Sequence, residues 1–555
     1  MRIPGLVLGR LRDLLPQKSD WTAAKRSPKR DLLAGVTVAV VALPLALAFG
    51  VTSGLGAEAG LATAVVAGAV AAIFGGSNLQ VSGPTGAMTV VLVPVVHQFG
   101  VAGVLTVGLL AGVVLIGLAF AGLGRYVKFL PMPVVEGFTA GIAVVIAMQQ
   151  VPAALGVESG GQERVWAVAA DAVWRFLQDP HLASPLIAIG VAAVMLAGAR
   201  YRPALPFSLI GVAAATLISQ FAPVELASLG ALPASLPSTS FGFFEFGTIG
   251  SLLPAVLAVS ALAALESLLS ATVADGMSVN ERHDPDRELF GQGLANLAAP
   301  VFGGIPATAA IARTAVNVRA GASSKISALT HSLVLLAIMM VASQLVSKIP
   351  LAALAGVLLA TTVQMVEVGS IKAMARATRG DAAVLFLTFG VTVVFDLVAA
   401  VVVGLGLAIL IALRSVARNA RVEMVPLEPG DHTTAEHALL KERIVAFRID
   451  GPLFFGAAHR FLLELTEVAD VEVVILRMAR VSTLDATGAS VLGDIIRRLE
   501  QRDIVVMLSG ISDAHDEVLS ALGIARHLQE QGLVFADTPS AIRAARERLL
   551  VPAAA

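Results

Sequence analysis

The chain has 555 residues, of which 56% are hydrophobic and only 14% charged, and its mean hydropathy is +0.83. A soluble domain carries about 25% charged residues, so most of this chain is solvated by lipid. A net charge of −1 excludes a strongly basic nucleic-acid binder, and zero cysteines exclude disulfides, thiolate chemistry and cysteine-based metal sites.

Residues 1–30 hold Arg2, Arg10, Arg12, Lys18, Lys25, Arg26, Lys29 and Arg30 against Asp13 and Asp20. They lack a short apolar core followed by a small-residue cleavage site, so they do not read as a signal peptide. The positive-inside rule places this N-terminal segment in the cytoplasm. Apolar runs of near-spanning length then follow, each roughly 20 residues. In the first half they are Leu32–Thr52, Leu61–Gly76, Val101–Leu123, Met132–Leu155, Pro185–Ala199 and Leu205–Phe221. In the second half they are Leu252–Ala274, Ile326–Val346, Leu351–Val366, Ala382–Val398 and Ala399–Leu413. Short runs after Gly83, around Leu294–Phe302 and after Ile305 complete about fourteen transmembrane segments. Basic pairs such as Arg125/Lys128, Arg200/Arg202 and Arg319/Lys325 mark several expected cytoplasmic ends.

Two segments break this pattern. Ser82-Gly83-Pro84-Thr85-Gly86-Ala87-Met88-Thr89 and Gly303-Gly304-Ile305-Pro306-Ala307-Thr308-Ala309-Ala310 each lead into too few apolar residues to span a bilayer. Half-helices that meet near the membrane midplane, with free N-terminal amides around a buried polar site, have this pattern, and they point to a transporter. Each break lies in the third run of its half. An odd number of helices per half inverts the second copy, which gives seven-plus-seven inverted repeats over residues 31–222 and 249–416.

After Arg421 the composition becomes that of a soluble domain. Residues 422–442, with two prolines and several charges, read as a linker. Beyond it, strand-like runs Ile444–Ile449, Val471–Leu476, Ile504–Leu508 and Leu533–Ala536 alternate with helical stretches at Ala458–Val468, Thr487–Arg502, Asp513–Leu522 and Ser540–Leu549. Residues 443–555 are therefore a small α/β domain.

Glu266 lies inside an apolar run with Ser267 and Ser270 at nearby helical positions. An ionisable group at that depth costs several kcal/mol unless it faces a partner or a cavity. A buried carboxyl is easier to protonate than a solvated one, which suits proton coupling; a counter-ion to a cation is the competing role. Arg313, read as two helical turns after Pro306, supplies fixed positive charge beside two half-helix dipoles, which favours an anion. Its alternative is a snorkelling arginine at a helix end. Thr85, Thr89 and Thr308 are helix caps or anion contacts. Pro44 marks a kink in the first run. Asp396 closes an apolar run, where capping or helix pairing near an interface and a functional role are the two readings; His331 reads as an interfacial group, and Arg282–Leu289 as a solvated loop. In the soluble domain Asp485 or Thr487 is an N-cap, and Thr487 is also a candidate for phosphorylation.

At these residues the chain resembles the SulP anion permeases. The likeness rests on Asp31–Gly54, Gln80–Thr89, Phe129–Gly141, Ala264–Gly321 and the C-terminal domain. Val41–Phe49, Val81–Gly86 and Asp286–Gly293 are similar to the bicarbonate-transporting type within that family. The resemblance implies core and gate subdomains, elevator-type transport, a homodimer, and a cytoplasmic STAS domain whose Asp-x-Thr-Gly pattern Asp485–Gly488 fits. It implies an anion held between the segment opening at Thr85, Gly86 and Ala87 and the one opening at Ala309 and Ala310, with Arg313 nearby. In the sodium-coupled type the cation-binding positions correspond to Glu266, Ser270 and Ile311. An isoleucine offers no oxygen, and Glu266 resembles the glutamate of proton-coupled members. Many sulfate-type members carry Ile-Pro-Gln where this chain has Leu43-Pro44-Leu45, which favours bicarbonate over sulfate.

The expectation is a multi-pass protein of the cell inner membrane with both termini cytoplasmic. Its partners are a small anion, a co-transported proton or sodium ion, the lipid bilayer and a second copy, with no nucleic acid, metal or cofactor. Bicarbonate and sulfate lead, with dicarboxylates and uncoupled exchange as variants. A membrane-anchored sensor with STAS output is the alternative from another class, and an enzyme is not expected because no nucleophile–base pair is evident.

Overall fold

A computed structural model describes residues 3–22, 27–158, 164–202, 205–221, 226–278, 281–395, 397–418, 421–425, 443–454 and 471–550. Asp396 and the helix expected at Ala458–Val468 lie outside the described residues. The chain forms two compact units, residues 1–405 and 406–555.

The first unit is helical. An N-terminal helix α1 (Ile3–Leu14) precedes α2 (Pro28–Thr52), α3 (Ala57–Phe74), the two-residue strand β1 (Ser82–Gly83), α4 (Gly86–Phe120), α5 (Met132–Leu155), α6 (Val165–Gln178), α7 (Ala183–Tyr201) and α8 (Phe207–Phe221). The second half holds α9 (Ile249–Met277), α10 (Pro285–Val301), strand β2 (Thr308–Ala309), α11 (Ile311–Arg319), α12 (Ile326–Val346), α13 (Leu351–Met365), α14 (Val368–Ala377), α15 (Arg379–Val394) and the start of α16 (Leu397–Arg418), which runs on into the second unit. Nine helices among the described residues are long and apolar enough to cross a membrane.

Helix α4 is two helices joined at Gly100, whose φ of 67° and ψ of −167° are not helical. The piece before Gly100 is the expected half-helix, and the piece after it is a full crossing. The second half-helix, α11, is likewise followed by a left-handed glycine, Gly321, with φ 92°. The short helices α6 and α14 occupy equivalent places in their halves, so the element order is consistent with seven-plus-seven repeats.

Helices α2, α3, α4, α9, α10, α11 and α12 pack on one another, while α5, α7, α13 and α15 form a second group. Small residues set the closest approaches. A Cβ on Gly112 would stand 2.7 Å from the Gly293 carbonyl oxygen, and one on Gly293 would stand 2.9 Å from that of Gly112. Lipid supplies little hydrophobic drive between helices, so close backbone packing of this kind carries their association.

Three sequence readings change here. Arg282–Leu289 is not a solvated loop. Asp284 caps α10 by accepting from the N–H groups of Asp286 (3.0 Å) and Arg287 (3.1 Å), and Pro285 supplies a pre-set first turn. Arg287 and Glu288 are then buried, and Arg287 meets Asp20 at 2.5 Å, while Arg10 from α1 meets Asp286 at 2.6 Å. His331 is not interfacial but fully buried in α12. Residues 422–425, expected in the linker, belong to a strand, Arg421–Val425, because a partner edge is available in the second unit.

That unit carries a five-stranded sheet in the order β3 (Arg421–Val425), β4 (Ile444–Leu453), β5 (Val473–Leu484), β6 (Val505–Ser509) and β7 (Val534–Phe535). The β3–β4 pair is antiparallel and the others are parallel. Helices α17 (Ala486–Glu500), α18 (Asp513–Ala521), α19 (Ile524–Glu530) and α20 (Thr538–Leu550) accompany it, around a core that includes Ile475, Leu476, Ile496 and Leu508. Asp485 caps α17, its Oδ1 accepting from Gly488 N at 2.7 Å, and Thr487 is exposed in the first turn.

Replacing Gly293 by leucine forces α4 and α10 apart and costs about 1–3 kcal/mol or more. The purified protein should melt at lower temperature in detergent, whereas Gly190→Leu, with nothing within 4 Å, should leave the melting temperature nearly unchanged.

Candidate functional site

The two broken segments cross. Strands β1 and β2 pair antiparallel, Ser82 opposite Ala309 and Gly83 opposite Thr308, and Ala310 N donates to Val81 O at 3.2 Å. Each strand turns directly into a half-helix, with Thr85 at the N-cap of α4 and Ala310 at the N-cap of α11. First-turn amides have no intrahelical acceptor, and neither N-terminus has a side-chain cap. Two positive helix ends are thereby left free to meet an anion. Thr85, Gly86 and Ala87 are buried, while Ala310 is half-buried and Ile311 is 41% exposed.

Arg313 and Glu266 converge on this crossing from different elements. Arg313 lies in the first turn of α11, not two helical turns beyond Pro306, because residues 304–310 are extended. Its Nη2 donates to Pro84 O at 2.7 Å, its Nη1 has no partner among the described residues, and it is only 2% exposed. Gly83 makes this possible, since its φ of 155° and missing side chain leave room where a Cβ would stand 2.5 Å from Arg313 Nη1. Glu266 of α9 accepts from Thr85 Oγ1 at 3.0 Å. The carboxyl expected to couple an ion thus touches a residue expected to hold the anion.

Ser270 is turned elsewhere. Its Oγ donates to Thr314 Oγ1 at 2.9 Å, and Thr314 Oγ1 in turn accepts from Val81 N at 3.2 Å. Ala309 N donates to Ser267 Oγ at 3.2 Å, and the Ser267 and Thr308 hydroxyls lie 2.9 Å apart. Thr89 bonds its own helix through Gly86 O at 2.7 Å.

Sequence reasoning missed the support behind the crossing. Gln292 Nε2 donates to Ser82 Oγ at 2.6 Å and to Glu288 Oε1 at 2.9 Å. Glu288 Oε2 accepts from the N–H groups of Gly76 and Ser77. Asn296 holds Ala307 from both sides, its Oδ1 accepting from Ala307 N and its Nδ2 donating to Ala307 O, each at 2.8 Å. The available signal was three amide or acid residues at i, i+4 and i+8 on one apolar helix, a polar stripe with no reason to face lipid.

Comparison with known proteins agrees with this architecture. Residues 29–388 match the profile of the sulfate permease family, and residues 438–541 match that of the STAS domain. The Bacillus subtilis protein YvdB, provisionally named a sulfate transporter, is 35% identical over 514 residues, which covers 91% of this chain and 95% of that protein. The bicarbonate transporter BicA of Picosynechococcus sp. is 31% identical, covering 87% of this chain and 89% of the transporter. The solved transmembrane domain of a cyanobacterial BicA superposes with a TM-score of 0.63 at 32% identity, covering 68% of this chain and 98% of that domain. A solved structure of SLC26A9 shares the fold over 99% of this chain and 94% of its own, with a TM-score of 0.81 at 17% identity.

Gly83→Ala places a methyl group against the Arg313 guanidinium and should weaken anion binding, read as a smaller anion-induced rise in melting temperature. In an Arg313→Gln background the same change should add little, because the two substitutions act through one group. Full additivity would mean that Gly83 acts elsewhere.

Proposed function

This chain belongs to the sulfate permease family, a family of transporters rather than enzymes, and we propose that it is a secondary active transporter of a small inorganic anion, coupled to protons through Glu266. The observation that carries the proposal is the convergence of two uncapped half-helix ends, one buried arginine and one carboxyl on a single crossing. Two fractional positive ends and a guanidinium recognise negative charge without a metal. Bicarbonate and sulfate both suit such a site, and they are the cargoes that the names of BicA and YvdB carry.

Coupling follows from the Glu266–Thr85 contact. Ionised Glu266 offsets the charge of Arg313 and competes for Thr85; protonated Glu266 leaves the site net positive. Proton binding therefore raises anion affinity, and by linkage anion binding raises proton affinity by the same factor. Sodium coupling is the less favoured reading, because Ile311 brings no oxygen and the Ser270 hydroxyl is committed to Thr314.

The half-helices belong to one packed group of helices, and α5, α7, α13 and α15 form the other. That division supports elevator-type alternating access, in which the first group carries the crossing past the second. A homodimer in the inner membrane, cytoplasmic termini, and regulation by the STAS domain at Asp485 and Thr487 complete the proposal. Its second reading, a sensor with STAS output, leaves the uncapped half-helix ends and the Arg313–Glu266 arrangement without a role.

Proteoliposome uptake of labelled bicarbonate and sulfate, with proton and sodium gradients imposed separately, tests this function. Uptake should follow the proton gradient; uptake driven by sodium alone would overturn the coupling assignment. Glu266→Gln mimics the neutral acid, so anion binding should persist while the response to a proton gradient is lost. Deletion of residues 419–555 should leave uptake measurable and alter its regulation or the dimer.

A further inference from the structure

Helix α14 (Val368–Ala377) is separated from α13 by Val366 and Glu367, whose ψ angles of 102° and 79° are not helical. Its ten residues, about 15 Å at 1.5 Å each, are too few to cross a bilayer. Contacts fix the face on which it lies. Ser370 Oγ donates to Glu136 Oε1 at 2.8 Å, and Glu136 is in the second turn of α5. The short helical turn before α5 opens with Gly124, whose N–H donates to Asp286 Oδ1 at 2.9 Å. Asp286 also holds Arg10 of α1. Helix α14 is therefore on the same membrane face as the N-terminal segment, the face that the positive-inside rule makes cytoplasmic.

The helix has two unlike sides. Ile371, Met374 and Ala375 are half-buried where α14 packs on α5 and α15, whereas Lys372, Arg376 and Arg379, the first residue of α15, are exposed. Lys372 and Arg376 stand at i and i+4, where like charges repel. None of the three makes an ion pair among the described residues. Nearby acids are turned to other tasks. Glu136 accepts from Ser370, Asp381 accepts from Thr378 Oγ1 at 2.8 Å, and Glu367 precedes the opposite end of the helix.

The corresponding helix of the first half, α6, is built differently. It follows α5, whose 24 residues cross the bilayer, and so lies on the opposite face. Its Arg175 is paired with Asp171 at 2.9 Å, and it exposes Trp166 and Trp174. Aromatic anchors of that kind suit either membrane surface. Bare cations suit only a negatively charged one.

We propose that the exposed side of α14 binds anionic phospholipid headgroups of the cytoplasmic leaflet, with Lys372, Arg376 and Arg379 on the lipid phosphates. Phosphate oxygens accept from guanidinium and ammonium groups, and the apolar side keeps the helix at the depth where headgroups lie. Because α14 joins α13 to α15, bound lipid holds that group of helices to the membrane surface. Lipid recognition here is independent of the anion cargo.

The melting temperature of the full chain in detergent, as phosphatidylglycerol or phosphatidylcholine is added back, tests this assignment. Phosphatidylglycerol should raise it more than phosphatidylcholine does. Lys372→Gln/Arg376→Gln/Arg379→Gln should raise the half-saturating fraction of phosphatidylglycerol about tenfold or more. The charge-preserving set Lys372→Arg/Arg376→Lys/Arg379→Lys should keep the response. So should Arg200→Gln/Arg202→Gln, which removes two exposed cations at the end of α7, where the chain returns to the same face. No preference for phosphatidylglycerol, or a preference that survives the triple glutamine substitution, overturns the site. So does an equal loss in the Arg200/Arg202 variant. A triple variant that melts lower by the same amount in both lipids means that the cations hold another part of the chain, and overturns lipid as their partner. A rise with inorganic phosphate that the triple substitution removes overturns the membrane as the source of the phosphate.

Discussion

Unpaired backbone is intolerable in hydrocarbon, and this structure places two stretches of extended chain inside a helical membrane unit. Every N–H and C=O left by the broken helices needs a partner that water cannot supply there. The crossing of β1 and β2 meets part of that demand by pairing the breaks with each other. The rest is met by side chains from surrounding helices: Asn296 on both polar groups of Ala307, Ser267 on Ala309 N, Thr314 on Val81 N, and Asn317 Nδ2 on Leu79 O at 2.7 Å. The helix ends that face the site are the exception, with no side-chain cap on either. Bonded backbone behind the crossing and free first-turn amides in front of it give the site its direction.

Electrostatics then narrow what those donors are for. One buried cation, Arg313, and one carboxyl, Glu266, reach the crossing from different helices, and each is anchored to the α4 segment through Pro84 O or Thr85 Oγ1. Neither charge is neutralised by a direct ion pair with the other. In the proposed mechanism that arrangement lets a single proton set the net charge of the site, which a tight salt bridge would prevent.

Much of this was legible in the sequence. Gly83-Pro84 and Gly304–Pro306 announce their breaks because no helix tolerates such runs, and Glu266 announces itself by depth. The α/β unit followed from period-two runs, and the cap at Asp485 from its position before a helix. What escaped was long-range. Glu288 and Arg287 looked like solvated loop residues because their partners, Gly76, Ser77 and Asp20, lie more than two hundred residues away in the chain. His331 looked interfacial because it opens an apolar run, and only the packing of α12 shows it buried. The strand at Arg421–Val425 has no identity alone; the edge of β4 makes it one.

The ion pair between Arg10 and Asp286 spans 276 residues, and synthesis runs from the N-terminus. While the first helices are being made, Asp286 does not yet exist, and Arg10 is one of the N-terminal cations that the positive-inside rule counts. Once α10 emerges, Asp286 pairs with it, and the same guanidinium becomes an internal strut between α1 and the helix that braces the crossing. The first helix of the unit is therefore locked in place only by a residue made more than two hundred positions later.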